Sequence, residues 1–415
     1  MSIFSRYFRF SDATQTEKSL GRLTDQRGGR RHELVSQLAE LDLSASEMPV
    51  SHRHLPPHDL RETTHRARSL GEPIRLRSLH CGTRFQTLVN STASSLYGAG
   101  GRLARCLILT WRRFFGHCRQ VTEERNWNLL VSNLQKGRCI PFLGAGACAG
   151  LLPLGPELAR RWAERYGYPF EDDANLARVM QYVAVMEFNG DLPLLKEHLV
   201  QEVFHRTRLP DFGAEHQIHS LLARCDLPLY VTTNYDDFLT RSLKVHNKDP
   251  HEQISPWYAG SVSSPLPKDY TPTPKSPLVY HLHGHYRQPE SMVVAEDDYI
   301  EYLIRLGGDS RTSSKRSLVP PVVNMALRKK SILFIGYSIA DWTFLVLFRT
   351  LLRGLDETQR PWNVSVQLTP RTTGNEESAR NYLEESFRRR NITVFWKSTE
   401  DFTKELARRM WGAAG

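Results

Sequence analysis

The sequence predicts an α/β fold in which a doubly wound parallel sheet carries an inserted helical subdomain. Three observations predict it. Apolar runs of strand length alternate with helical patterns from about residue 122 onward. The first of these runs, Cys139-Ile140-Pro141-Phe142-Leu143-Gly144-Ala145-Gly146, breaks into two glycines spaced by one residue. That is how a buried strand hands over to a helix whose N–H groups face a phosphate. Three later runs end in polar or glycine residues: Thr232-Thr233-Asn234-Tyr235-Asp236, His281-Leu282-His283-Gly284 and Phe334-Ile335-Gly336-Tyr337-Ser338. In an open Rossmann-like sheet such ends converge on the ligand crevice.

The elements follow in order. Residues 126–136 read as a helix leading into the first strand. Gly144, Gly146 and Ala149 then fit a G-x-G-x-x-G/A spacing, which alone also suits a plain tight turn. Helical stretches follow at about 155–166, 174–188, 193–205 and 215–225; Leu158, Trp162 and Tyr166 carry the spacing of the first. Strands are expected at Leu227–Thr233, Leu278–Leu282, Ser331–Ile335, Val364–Leu368 and Ile392–Trp396. Between them come helices at 236–245, about 296–306, 317–328, 341–355 with Asp341 at its N-cap, about 375–389, and 399–411. Residues 246–276, rich in Pro, Ser and Lys, read as a long loop, a lid or an insertion. There are no internal repeats.

The helical insertion, about 151–225, bears on function. A dinucleotide-binding β-α-β unit reaches its second strand, with a ribose-binding acid, about 20 residues after the glycines. Here about 80 residues intervene. Hydride transfer is therefore disfavoured.

Composition narrows the class further. The 415 residues are 40% hydrophobic and 24% charged, ordinary for a globular protein. The longest apolar runs fall short of the ~20 residues a membrane-spanning helix needs, so no membrane partner is expected. The six cysteines, at 81, 106, 118, 139, 148 and 225, contain no C-x-x-C pair. This argues against a zinc ribbon or a disulfide framework and makes a reducing cytoplasm the default. Cys148, just after the glycine loop, reads as a small buried thiol rather than a reactive one.

The net charge of +10 belongs almost wholly to residues 1–120, which carry +9, against +1 for the rest. That segment is Arg-rich, with Lys18 its one lysine. It reads as a basic N-terminal region, largely disordered or loosely helical to about residue 85, ahead of a domain over 121–415. A solvated tail, an organellar targeting peptide at Met1–Phe10 and a nucleic-acid-binding arm are all open for it.

Taken together, Phe142-Leu143-Gly144-Ala145-Gly146, Thr233-Asn234-Tyr235-Asp236, Leu282-His283-Gly284 and Gly336-Tyr337-Ser338 resemble the sirtuin-like domains of bacterial anti-phage defence proteins. Leu152-Pro153 and Glu296-Asp297-Asp298-Tyr299 agree with the same family. The resemblance covers roughly residues 124–412. Protein deacylases of that family carry a four-cysteine zinc ribbon after the catalytic histidine, whereas no cysteine follows Cys225 here. The resemblance therefore implies NAD+ hydrolysis to nicotinamide and ADP-ribose, linear or cyclised, with NAD+ as substrate and no zinc. It also implies gating, NAD+ depletion in defence, a homo-oligomer, and a partner such as a hexameric ATPase of the HerA type.

The chemistry suits the residues. Breaking the nicotinamide–ribose bond builds positive charge on the ribose and needs a held pyrophosphate, fixed hydroxyls and a base. Gly144, Ala145 and Gly146 are the expected pyrophosphate donors, with Thr233, Gly336 and Ser338 on the nucleotide side. Asn234 offers a donor and an acceptor to the ribose or to water. Asp236 orients a hydroxyl or stabilises charge, unless it or Asn234 merely caps the next helix. His283 is the expected general base. His281 and His285 rival it, since strand alternation would place all three on one face. Asp297 and Tyr299 read as structural. An NAD+ or ADP-ribose sensor without turnover is the alternative reading.

Overall fold

A computed structural model describes residues 121–412, apart from 206, 208, 260–265, 268, 309–317, 339–341, 352–360 and 371. The expectations for residues 1–120 and for Asp341 lie outside the described residues.

Seven strands form one sheet. They are β1 (Cys139–Leu143), β2 (Leu229–Thr232), β3 (His251–Ile254), β4 (Leu278–His281), β5 (Ser331–Ile335), β6 (Asn363–Gln367) and β7 (Ile392–Trp396). All pairings are parallel, in the order β3-β4-β2-β1-β5-β6-β7. The chain runs outward from β1 on one side, then returns to build the other side from β5. That reversal makes β1 the switch point, where ligand crevices form in such sheets.

Register sets the level of every strand end. Leu143 pairs with both Thr232 and Ile335, and Thr232 pairs with His281. Gly144, Thr233, Leu282 and Gly336 therefore all stand one step beyond the same edge.

Both faces of the sheet are covered, as a parallel sheet requires. Ile140, Phe142, Val231, Tyr280 and Phe334 pack with Tyr302, Leu327, Phe348 and Phe387. Cys139, Leu143, Tyr230, Val279 and Leu333 alternate to the other side, against Trp127, Leu130, Leu222, Phe402 and Leu406. The helices supplying these side chains include residues 121–135 (α1), α5 (Ile218–Arg224), α6 (Phe238–Val245), α7 (Glu296–Gly308) and α8 (Pro321–Lys329). Later come α9 (Trp342–Leu351), α10 (Glu376–Arg388) and α11 (Thr399–Trp411).

The insertion after β1 comprises α2 (Gly155–Arg165), α3 (Leu176–Glu187) and α4 (Leu192–Val203). It has its own core, in which Trp162, Val179, Val183, Leu195 and Leu199 close on Met292 and Val294. Asn175 and Asp191 cap α3 and α4 through their side-chain oxygens. A buried ion pair fastens the insertion to the domain: Lys196 Nζ lies 2.7 Å from Asp298 Oδ1. Asp298 Oδ2 accepts the N–H groups of Val294 and Ala295 at 2.9 and 3.0 Å, at the start of α7.

One expectation is overturned. The stretch 246–276 is not all loop, because it contains the edge strand β3. Its sequence, His251-Glu252-Gln253-Ile254, lacks an apolar run. Backbone pairing to β4, which needs no apolar run, specifies the strand.

Candidate active site

The four motif ends meet at the carboxyl edge of the sheet. β1 and β5 approach so closely there that side chains are excluded. A Cβ on Gly146 would lie 2.7 Å from the Gly336 Cα, and one on Gly336 would lie 2.2 Å from the Ala147 nitrogen. Gly336 also has φ +79°, where glycine is favoured.

The same closeness commits the backbone donors. Gly144 N–H bonds to the Ile335 carbonyl at 2.9 Å, and Gly146 N–H to the Gly336 carbonyl at 3.0 Å. Two of the three N–H groups expected to hold a pyrophosphate thus join β1 to β5 instead. Ala145 is exposed at the rim, within a 3-10 turn over Ala145–Cys148. Thr233 Oγ1 lies 2.5 Å from the Tyr337 hydroxyl, which also donates to the Leu143 carbonyl. Gly336 is half-buried and Ser338 exposed.

Asn234 is buried, 8% exposed, and its Nδ2 donates to Cys148 Sγ at 3.3 Å. The Cys148 thiol donates in turn to Asp236 Oδ2 at 3.2 Å. Burial, and then the Asp236 carboxylate, push this thiol well above its ordinary range. It is a neutral hydrogen-bonding link, not a nucleophile. His219 Nε2 closes the cluster at 3.9 Å from the sulfur, its ring held below its usual pKa by burial. Asp236 Oδ1 accepts the Phe238 N–H at the start of α6. Asp236 therefore serves as a cap and as a support behind Asn234, while Asn234 does not cap.

The three histidines separate. The strand ends at His281, and Gly284, at φ +92°, turns the chain. Regular alternation stops there, so the expectation of one shared face fails. His281 and His285 pack ring against ring, with centroids 4.8 Å apart. His283 turns instead to Tyr302 and Tyr299, at 4.9 and 5.7 Å. Burial drives its pKa down to about 3. His283 is consequently neutral at physiological pH. Tyr299, expected to be structural only, forms part of the wall beside it.

With this geometry, residues 228–395 match the family described as the SIR2-like domain. That stretch is similar to the SIR2-like domain. The chain's curated relatives include the NAD(+) hydrolase ThsA of Enterococcus faecium, 27% identical over 232 residues, which is 55% of this chain and 43% of that protein. The protein of the same name from Acinetobacter baumannii (strain 532279) is 22% identical over 313 residues, 71% of this chain and 57% of that one. The chain thus spans about half the length of the curated relatives it matches. A solved structure described as "Structural Basis for the Mechanism and Regulation of Sir2 Enzymes" aligns with 68% of this chain and 96% of its own, at 12% identity and a TM-score of 0.32.

Several further residues that no sequence motif marks frame the site. Asp237, 3% exposed, pairs with Arg287 and with Arg241 at 2.8 Å, and accepts from the Tyr286 hydroxyl. This ties the histidine turn to α6. No motif marks it, because the pairing spans 50 residues of sequence. A surface groove of about 640 Å³ lies beyond β6 and β7, lined by Trp396, Lys397, Asp401, Lys404 and Arg408 among others. It is three to four strands from β2, after which Asn234 stands. Lys404 and Arg408 there pair with Glu400 and Glu405.

The turn carrying His283 gives a stability prediction. A Cβ on Gly284 would lie 2.0 Å from the Ser291 carbonyl oxygen. Gly284→Ala is expected to cost roughly 1–3 kcal/mol, read as a lower thermal midpoint. A wild-type midpoint would contradict the geometry of this turn.

Proposed function

We propose that the protein is an NAD+ glycohydrolase, cleaving NAD+ to nicotinamide and ADP-ribose. One observation carries this reading. Thr232 and His281 are paired across β2 and β4, so the segments bearing Asn234 and His283 leave neighbouring strands at one level of the sheet. The two residue types expected to hold and activate the attacking group thus follow adjacent strand ends, which supports the reading. The names of the ThsA relatives support the same activity.

In this reading Asn234 positions the ribose or the attacking water, with Cys148 and Asp236 fixing its amide. His283, neutral against its tyrosines, accepts the proton as water adds to the ribose carbon. Nicotinamide leaves with the bonding electrons of the glycosidic bond. Thr233, Ala145, Gly336 and Ser338 line the nucleotide side.

The activity is proposed to be gated and to serve anti-phage defence through NAD+ depletion, in a homo-oligomer and beside a partner such as a HerA-type ATPase. Among the described residues, no helix is long and apolar enough to cross a membrane.

The test is product analysis of NAD+ incubated with purified full chain, alone and with the ATPase or DNA added. Nicotinamide and ADP-ribose in equal amounts are expected. NAD+ bound but intact under every condition would replace the hydrolase with a sensor.

A further inference from the structure

We propose that Glu252 and His281 are positioning residues for Asn234, an outer support that reaches the active site from the edge strand β3. The inference rests on the hydrolase reading above. Ile254 pairs with His281, so Glu252, two residues earlier, lies on the same face of the sheet. His281 Nδ1 lies 3.3 Å from the Asn234 main-chain carbonyl. A carbonyl only accepts, so Nδ1 carries the hydrogen there. The other nitrogen, Nε2, faces Glu252 Oε1 at 3.6 Å. Thr240 Oγ1 donates to the same carboxylate oxygen at 2.6 Å, fixing it from α6. The ring is 1% exposed and has nowhere else to turn. Edge-strand carboxylate, imidazole and Asn234 carbonyl therefore form one line, and the peptide after Asn234 is its terminus.

Glu252, His281 and His285 also resemble a two-histidine, one-carboxylate metal set, with ligand atoms all within 4.8 Å of one another. Hydrogen bonding argues against it. His285 Nδ1 accepts the Arg287 N–H at 3.1 Å, so the neutral ring carries its hydrogen on Nε2, where a metal would need a lone pair. The Nε2 atoms of both histidines are buried without a hydrogen-bond partner. A water seated between them would satisfy these roles, accepting from His285 and donating to His281 and Glu252. The cluster is thus a polar support whose output is the Asn234 carbonyl.

The test compares His281→Leu with His281→Asn, because the asparagine amide places a donor where Nδ1 stood. Expected for His281→Leu is a loss of about 10²-fold in kcat, the scale for a reacting group displaced by about 1 Å. KM for NAD+ should stay within about threefold, since uniform binding is untouched. His281→Asn should recover most of the loss. Glu252→Gln should fall between the two. The amide cross-peak of Tyr235, whose peptide shares the Asn234 carbonyl, should move in His281→Leu and return in His281→Asn. This readout needs no turnover, so failure of the hydrolase reading stays distinct from failure of the support. An unmoved Tyr235 peak, or His281→Asn as impaired as His281→Leu, overturns the proposal. So does stoichiometric Zn2+ retention by the wild type that Glu252→Gln abolishes, which would make the cluster a metal centre.

Discussion

Replacing Asn234 with alanine is expected to cut nicotinamide release by about 10²-fold or more, with little change in thermal midpoint. The side chain makes one hydrogen bond, to the Cys148 sulfur, a weak acceptor. Its removal leaves no buried charge unpaired, so the stability cost is on the order of 1 kcal/mol. Catalytically the residue is exposed to far greater loss. Its side-chain amide is fixed by Cys148 and its main-chain carbonyl by His281, an arrangement that costs entropy to build. Such preorganisation has value in the transition state, where a positioned water or hydroxyl attacks a short-lived cation. The measurement is kcat beside a melting curve. A variant that melts far below wild type would show Asn234 to be chiefly structural.

The largest stability effect is expected at Lys196 and Asp298. Their ion pair is 2.7 Å long, and both side chains are at most 5% exposed. Lys196→Met leaves the Asp298 carboxylate buried without its counter-charge, a defect of about 3–5 kcal/mol. Asp298→Asn removes the charge at the other end and weakens the acceptor that holds Val294 and Ala295 N–H. Each variant should lower the thermal midpoint by roughly 10 °C, at about 2–4 °C per kcal/mol for a domain of this size. The double variant should lose less than the two singles together, because neither charge is then stranded. Midpoints within a degree of wild type would mean that the pair contributes nothing.

Much of this was legible in the sequence because parallel strands buried on both faces are short apolar runs. β5 and β7 fall at Ser331–Ile335 and Ile392–Trp396, as their residue patterns predict. The strand ends were legible for a related reason: polar residues directly after an apolar run have one place to go, the edge of the sheet. β3 was not legible, since an edge strand can be polar and is specified by its partner's backbone. The fate of the three histidines was not legible either. Alternation holds only while the strand lasts, and Gly284 ends it by adopting φ +92°. The glycines of the first loop were read as phosphate donors, but their N–H groups bond to β5. Spacing gives the close approach of a backbone, not the identity of what approaches. Long-range pairs such as Lys196–Asp298 and Asp237–Arg287 depend on tertiary placement that no local pattern encodes.

The most direct test of the central claim is the rate of nicotinamide release from NAD+ by the full chain, measured beside His283→Ala. Wild type should turn over. His283→Ala should lose about 10²- to 10⁴-fold, the contribution of a positioned general base, while still binding NAD+. Release undiminished in His283→Ala would contradict the account, placing the chemistry away from the crevice between β2 and β4.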